Sequence, residues 1–508
     1  MYNFIKKIVA SSVALLLLSF LHAESTSYPG LYRYKLDNGL ELFVAENDSA
    51  PLAYIEIAVR AGAVTQTPEN AGLFHLYEHM LFKGNAKYEN QDAFTDAANE
   101  MGRIGENGST GIDRVNYFFT VPASQVRNGL EFWSYALRTP KLDEKELENE
   151  KAVVLSEINA DFTDPAHIRS AALAKTMFPD SPWRLDPAGN PVVVQKATAD
   201  DLREMQKKYY IPSNSAIFVG GDVNHNDVYT YVKEIYSDWE NPSVLVPFEY
   251  SSNKSPLSLD KKMVFVNPGS SDTMIQVGYY LRGPDGEVDS KDTYAADVWS
   301  LLVGSPTGAF ANTFVSEKSL SIPESDYVGA SYPTRRISGL IAFYAAMLND
   351  SESAPSETNF GFGNAPINKK KLNPVEKAEH FLSVFKSRAV PAMAKKSVFF
   401  KDKGISFVIQ QLEDARIYEL ESAQSVLESL SYFWSTCGSD YFFSYDQNVM
   451  RVTEDDVLQF VKNYIQNKNG AYVVTISPKI WEKYKNAFLS AGYEEITAEN
   501  AFWQNDIK

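Results

Sequence analysis

The sequence predicts a mixed α/β or α+β protein built from two related halves, and three observations carry that prediction. First, 508 residues suffice for two large domains or about three of ordinary size. Hydrophobic residues make up 44% and charged residues 22%, the balance of a folded chain. Second, the chain matches itself at an offset of 255: Thr198, Asp200, Asp201, Leu202 and Tyr209 fall on Thr453, Asp455, Asp456, Val457 and Tyr464. The run Ala216-Ile217-Phe218-Val219 falls on Ala471-Tyr472-Val473-Val474 without a gap. Each copy reads as a Thr N-cap, an acidic first turn, an apolar-periodic helix and a β-rich run. Third, strands and helices intermingle in both halves. Helix-plus-strand units resemble one another by chance, but a gapless match of this length favours duplication, and its period is far too long for a solenoid. A looser echo sets Ala53 to Ile57 against Thr273 to Val277, both alternating strands.

The elements follow in chain order. Lys6 and Lys7 precede an uncharged apolar run of 14 residues, Ile8 to Leu21. A membrane span needs about 20 residues, so residues 1–23 read as a signal peptide cleaved after Ala23. Leu21 stands where a small residue is usual before the cut, which keeps an uncleaved membrane anchor as the alternative. Export to the periplasm, or secretion, follows. No other stretch is long and apolar enough to cross a bilayer. A net charge of -17 with only short Lys/Arg clusters argues against a nucleic-acid partner. Cys437 is the one cysteine, so an intramolecular disulfide and a Cys-based zinc cluster are excluded. Residues 24–240 form the first domain, the Ser- and Pro-rich 241–260 a linker, and 261–508 the second domain. Within the second, 351–374 reads as a long surface loop inserted in the domain.

The run Ala71 to Phe82 lacks helix breakers and contains His75-Leu76-Tyr77-Glu78-His79. His75 and His79 are one turn apart on one helical face, where a single tetrahedral Zn²⁺ takes both. Glu78 lies at the edge of that face, within reach of a zinc-activated water. This is the H-x-x-E-H pattern of inverted zincins, and only six histidines make its chance occurrence rare. The bland reading is two core histidines paired with a glutamate. Zinc needs a third protein ligand. Glu148 to Ile158 reads as a second helix with Glu150 and Glu157 on one stripe, while Val153 and Val154 pack inward. Spacing alone does not choose between the two glutamates; one could complete the site and the other support it.

These residues resemble the M16 (pitrilysin- or insulinase-type) zinc metallopeptidases, and in particular bacterial two-domain members. The resemblance rests on His75 to Gly84, then Asn107-Gly108-Ser109-Thr110 with Asp113 and Tyr117, the Glu150/Glu157 helix, and Tyr209 to Val223. It is strong from about Gly30 to Trp239 and weaker in the second half. It implies an α+β fold of two homologous α/β-sandwich domains of the M16 peptidase type. It also implies one Zn²⁺ per chain on His75, His79 and Glu157, with Glu78 activating the water and Glu150 supporting the site. Glu157 stands 78 positions after His79, where the family's ligand lies. Asn107, Gly108, Ser109 and Thr110 would sit on an edge strand to which a peptide substrate adds as an extra strand. Read locally, Asn107-Gly108 is only a turn.

Active family members also place an Arg and a Tyr in the second domain, seven residues apart. Here Ser316 stands at the Arg position, and Tyr327 is the candidate Tyr after an insertion; Arg335 and Arg336 lie too far on. The resemblance therefore implies a zinc-less M16 homologue supplying the pair in a heterodimer, or a homodimer. The function implied is an exported zinc metalloendopeptidase acting on short or unfolded peptides. The alternatives are a processing peptidase with one substrate, or a non-catalytic binding or assembly subunit. His167, His225 and His380 lie outside any ligand spacing and read as surface or turn residues. Phe118-Phe119 and Tyr432-Phe433-Trp434 read as core. Cys437 lacks an activating partner, and Asp143 to Glu146 reads as a solvated helix face.

Overall fold

Thr198 and Thr453 each begin a helix in the same way. In the computed structural model, Thr198 and Asp201 form a capping box on the helix Ala199–Tyr209. Thr453 and Asp456 form the same box on Glu454–Tyr464; in both, the N-cap hydroxyl and the third-position carboxylate satisfy two otherwise orphaned N–H groups. The structure describes residues 24–25, 28–243, 257–305, 307–350, 371–401 and 404–506. The expected signal segment 1–23, residues 244–256 of the expected linker and 351–370 of the expected loop lie outside them. Pro374, at the end of that expected loop, instead opens the helix Pro374–Val384, which Asn373 caps.

Thirteen strands among the described residues form two sheets. The first contains β1 (Glu24–Ser25), β2 (Leu31–Lys35), β3 (Glu41–Glu46), β4 (Leu52–Val59), β5 (Ile104–Thr110), β6 (Val115–Pro122) and β7 (Ser215–Gly221). Their order is β1-β2-β3-β7-β4-β6-β5. The second contains β8 (Lys261–Val266), β9 (Met274–Arg282), β10 (Val328–Ser331), β11 (Leu340–Leu348), β12 (Ala471–Ile476) and β13 (Glu494–Ile496), in the order β10-β11-β9-β12-β8-β13. Five strands of each superimpose rung for rung. The rung Leu42, Ile217, Ile57, Tyr117, Gly108 in the first corresponds to Lys262, Tyr472, Tyr279, Phe343, Ala330 in the second. In both, only the first step of that rung is a parallel pairing. Ile217 and Tyr472 keep the offset of 255, whereas Ile57 and Tyr279 differ by 222. The looser strand echo was therefore two residues short, a slip that leaves every side chain on its own face.

One face of each sheet carries its own half's helices and the large cores. The other face is covered by a helix from the opposite half. Val426, Leu427, Leu430 and Trp434 of the helix Ala423–Thr436 pack on Phe43, Tyr54, Ala58, Ala216 and Phe218 of the first sheet. Reciprocally, Ala172, Leu173 and Met177 of Pro165–Met177 pack on Met263, Phe265, Ala471 and Val473 of the second. Each fully buried Leu or Phe in such a contact contributes about 1.5–3 kcal/mol, so the exchange binds the halves together. Polar contacts finish the seam. The Arg60 guanidinium stacks 4.0 Å from the Trp434 ring and donates to the Trp434 carbonyl. Arg335 lies 3.6 Å from the buried Asp113 carboxylate, and Arg336 donates to the Ser435 carbonyl. Among the described residues no helix is long and apolar enough to cross a membrane.

Candidate metal centre

Gly72 (φ 101°) starts the helix Leu73–Leu81, within the stretch where the sequence predicts one. Leu73, Phe74, Leu76, Tyr77, Met80 and Leu81 are buried, which leaves His75, Glu78 and His79 on the remaining stripe. That stripe faces the 18-residue helix Glu144–Asp161. Asp143 caps this helix through the Lys145 and Glu146 N–H groups, so the acidic run is its N-terminal turn. Val154 is buried as expected, but Val153 is 44% exposed. Neighbouring helical residues point about 100° apart, so Val153 faces solvent beside the exposed Glu157 while Val154 faces the core.

The two imidazoles and one carboxylate converge. His75 Nε2 and His79 Nε2 are 3.2 Å apart. Glu157 Oε2 lies 3.3 Å from the first and 3.4 Å from the second. Three ligands on a tetrahedral zinc at about 2.0–2.1 Å stand about 3.3 Å from one another, so the donor set fits that ion. Among the described residues this is the one cluster of its kind. Glu150 turns the other way: its Oε2 accepts from His79 Nδ1 at 3.0 Å and its Oε1 from Lys83 Nζ at 2.6 Å. His75 Nδ1 is 3.3 Å from the Ala188 carbonyl. Both histidines thus have a partner on Nδ1 that orients Nε2 inward. Ala188 is held there because Gly189 and Gly72 meet backbone to backbone. A Cβ on Gly189 would lie 2.2 Å from the Gly72 Cα.

Burial raises the pKa of Glu78, opposed in turn by a hydrogen bond from Thr110 and the two histidines. Thr110 Oγ1 donates to Glu78 Oε2 at 2.6 Å. Burial alone would lower His79, but its bond to Glu150 and the charges of Glu157, Glu78 and Glu150 raise it. Burial would raise Glu150, but its bonds to His79 and Lys83 hold it below the usual carboxylate range.

The other expected residues are distributed as follows. Asn107, Gly108, Ser109 and Thr110 lie on β5, an edge strand and not a mere turn. Gly108 is buried against Glu78, while Asn107 and Ser109 are exposed. Tyr327 is 40% exposed in the second half. It lines a cavity of about 320 Å³ with Arg169, Tyr280 and Tyr344, and none of the three convergent ligands borders that cavity. Ser316 is exposed and caps the helix Ala309–Val315. His167 pairs with Asp186, His225 stacks on Tyr32, and His380 Nε2 is 3.6 Å from Glu317. The Cys437 thiol is pushed up to about 12 by burial, which disfavours the thiolate that a nucleophile needs. Lys83, the Ala188 carbonyl and the Thr110–Glu78 bond were not foreseen in the sequence. Only Gly72 and Gly189 hinted at the Ala188 contact.

A helix pair that brings two imidazoles and a carboxylate to one point, on a chain of two interlocked α+β units, defines a scaffold of the inverted-zincin class. Residues 42–190 match the family model for insulinase, peptidase family M16. Residues 196–357 match the model for the peptidase M16 inactive domain. The chain belongs to the M16 peptidase family. It is 24% identical over 313 residues to the zinc protease PqqE of Helicobacter pylori, a match covering 61% of this chain and 68% of that one. Its fold is similar to that of a putative M16-like peptidase from Alicyclobacillus acidocaldarius (TM-score 0.71, 14% identity, 89% of this chain and 100% of that one). It is likewise similar to the periplasmic protease PqqL from Escherichia coli, with TM-score 0.68 and 13% identity over 91% of this chain and 49% of that one. The chain spans only 44%, 20% and 28% of three further curated relatives that it matches.

Proposed function

We propose that this protein is an exported zinc-dependent metallopeptidase that hydrolyses peptide bonds in short or unfolded peptides. The observation that carries the reading is the convergence of His75 Nε2, His79 Nε2 and Glu157 Oε2 at tetrahedral edge lengths, with the Glu78 carboxylate on the same stripe. One zinc on His75, His79 and Glu157 would supply Lewis-acid polarisation of the scissile carbonyl and of the attacking water. Glu78 takes the proton of that water and returns it to the leaving amine. Glu150 fixes the His79 tautomer, with Lys83 holding Glu150 in turn. An extended peptide adds to the open edge of β5 through its main chain, and this recognition is tolerant of sequence.

The assembly we propose divides into residues 24–240 and 261–508, preceded by a cleaved signal segment. It acts in the periplasm or outside the cell. The chain covers 49% of the PqqL structure, which supports pairing of two such units. That pairing is with a zinc-less homologue supplying Arg and Tyr, or with a second copy. A second reading, a non-catalytic subunit, is favoured by one observation: Ser316 stands where the resemblance calls for Arg. Hydrolysis of a quenched fluorescent peptide library by residues 24–508, beside Glu78→Gln, separates them. Cleavage that Glu78→Gln abolishes while keeping its zinc supports the peptidase. Cleavage undiminished in the variant overturns the role of Glu78.

A further inference from the structure

The strand at the open edge of the first sheet frames Glu78 from two directions. Thr110 Oγ1 donates to Glu78 Oε2 at 2.6 Å. Two residues earlier, on the same face of β5, Gly108 leaves the space that the carboxylate fills. A Cβ there would lie 2.8 Å from Glu78 Oε1, 2.9 Å from its Cγ and 3.1 Å from its Cδ. Gly108 has no positive φ, so the absent side chain and not a special backbone conformation is what this site uses. Glycine weakens a strand interior and often marks a close approach of another group; here that group is Glu78.

The second half provides an internal control. Gly108 corresponds on the ladder to Ala330, an offset of 222. The same offset places the six buried residues of the Leu73–Leu81 helix on Ala295, Ala296, Val298, Trp299, Leu302 and Val303, all buried. It places Glu78 on Ser300 and Thr110 on Tyr332, which donates to the Pro284 carbonyl. Where the carboxylate is missing, the glycine and the small hydroxyl are missing with it.

We propose that Gly108 and Thr110 are positioning residues for the general base, so that the strand on which a peptide docks also aims Glu78 at the reacting water. This rests on the peptidase reading above.

The test compares Thr110→Val, Thr110→Ser and Gly108→Ala in the zinc-loaded protein. Thr110→Val and Gly108→Ala should lower kcat about 10–100-fold, as for other lost partners of a catalytic group. KM and zinc affinity, measured by chelator competition, should stay at wild-type values. Thr110→Ser should restore most of kcat. An unchanged kcat in Thr110→Val, a Ser variant as poor as Val, or zinc affinity falling in step with kcat overturns the proposal. An infrared difference spectrum between wild type and Glu78→Gln isolates the Glu78 carboxylate stretch without any turnover. That band should shift in Thr110→Val and Gly108→Ala but not in Thr110→Ser, and a band that stays in place overturns the proposal. A wild type that cleaves nothing counts against the peptidase reading alone, because the infrared band still decides the contact.

Discussion

Where the first half sets His75, Glu78 and His79 along the open stripe of its helix, the second sets Asp297, Ser300 and Leu301 at the corresponding places of Ser290–Gly304. The buried stripe is kept in both, apolar residue for apolar residue, because each packs into the core of its own half's sheet. The open stripe is not held by that packing, so one copy presents His75, Glu78 and His79 while the other carries a half-buried acid, a hydroxyl and an exposed leucine. The difference shows that the fold fixes the scaffold and that function resides on the surface the scaffold leaves free.

The comparison breaks first at Glu78. Glu78→Gln should lower peptide hydrolysis about 10²–10⁴-fold, whereas Ser300→Ala should leave it at the wild-type level; steady-state rates on one fluorescent peptide check both. Next come the exchanged helices. Trp434→Ala, on a helix from the second half, should destabilise the protein by about 3–5 kcal/mol and unfold both halves in one transition. Two separated calorimetric transitions would show instead that the halves are independent.

Smaller effects sharpen the contrast. Glu150→Ala should weaken zinc binding about 10–100-fold by freeing His79, while Leu301→Ala should leave zinc affinity unchanged, both read by chelator competition. The smallest effect concerns Asp297, whose carboxyl burial pushes up to about 7 against the hydrogen bond from Tyr445. Its folded pKa lies above the unfolded value, so the folded state holds a proton that the unfolded chain has released. Stability therefore declines as pH rises from about 4 to 7. Asp297→Asn should raise Tm more at pH 8 than at pH 5, by about 1–4 °C at the higher pH; equal shifts at the two pH values would refute this.

Much of this was legible in the sequence, for physical reasons that differ by element. The Thr-capped helices and the strands after them were readable because capping and alternation are local. His75, Glu78 and His79 were readable because helical spacing alone places them on one face. The choice between Glu150 and Glu157 was not readable from spacing, since both lie on one stripe. Only the packing of the second helix sends Glu157 to Nε2 and Glu150 to Nδ1. Val153 and Val154 look alike in sequence because both are apolar, although adjacent helical residues face different directions. The exchange of covering helices left no trace, because an apolar stripe does not say which sheet it meets. The Ala188 carbonyl belongs to the main chain, which any residue could supply.

Metal occupancy is the property of the chain that decides most. Native mass spectrometry of the purified chain, of His79→Ala and of Leu301→Ala measures it. One zinc per wild-type chain, lost in His79→Ala and kept in Leu301→Ala, is the result expected. Two zinc ions per chain, or one that survives His79→Ala, would contradict the assignment of the site to the first half.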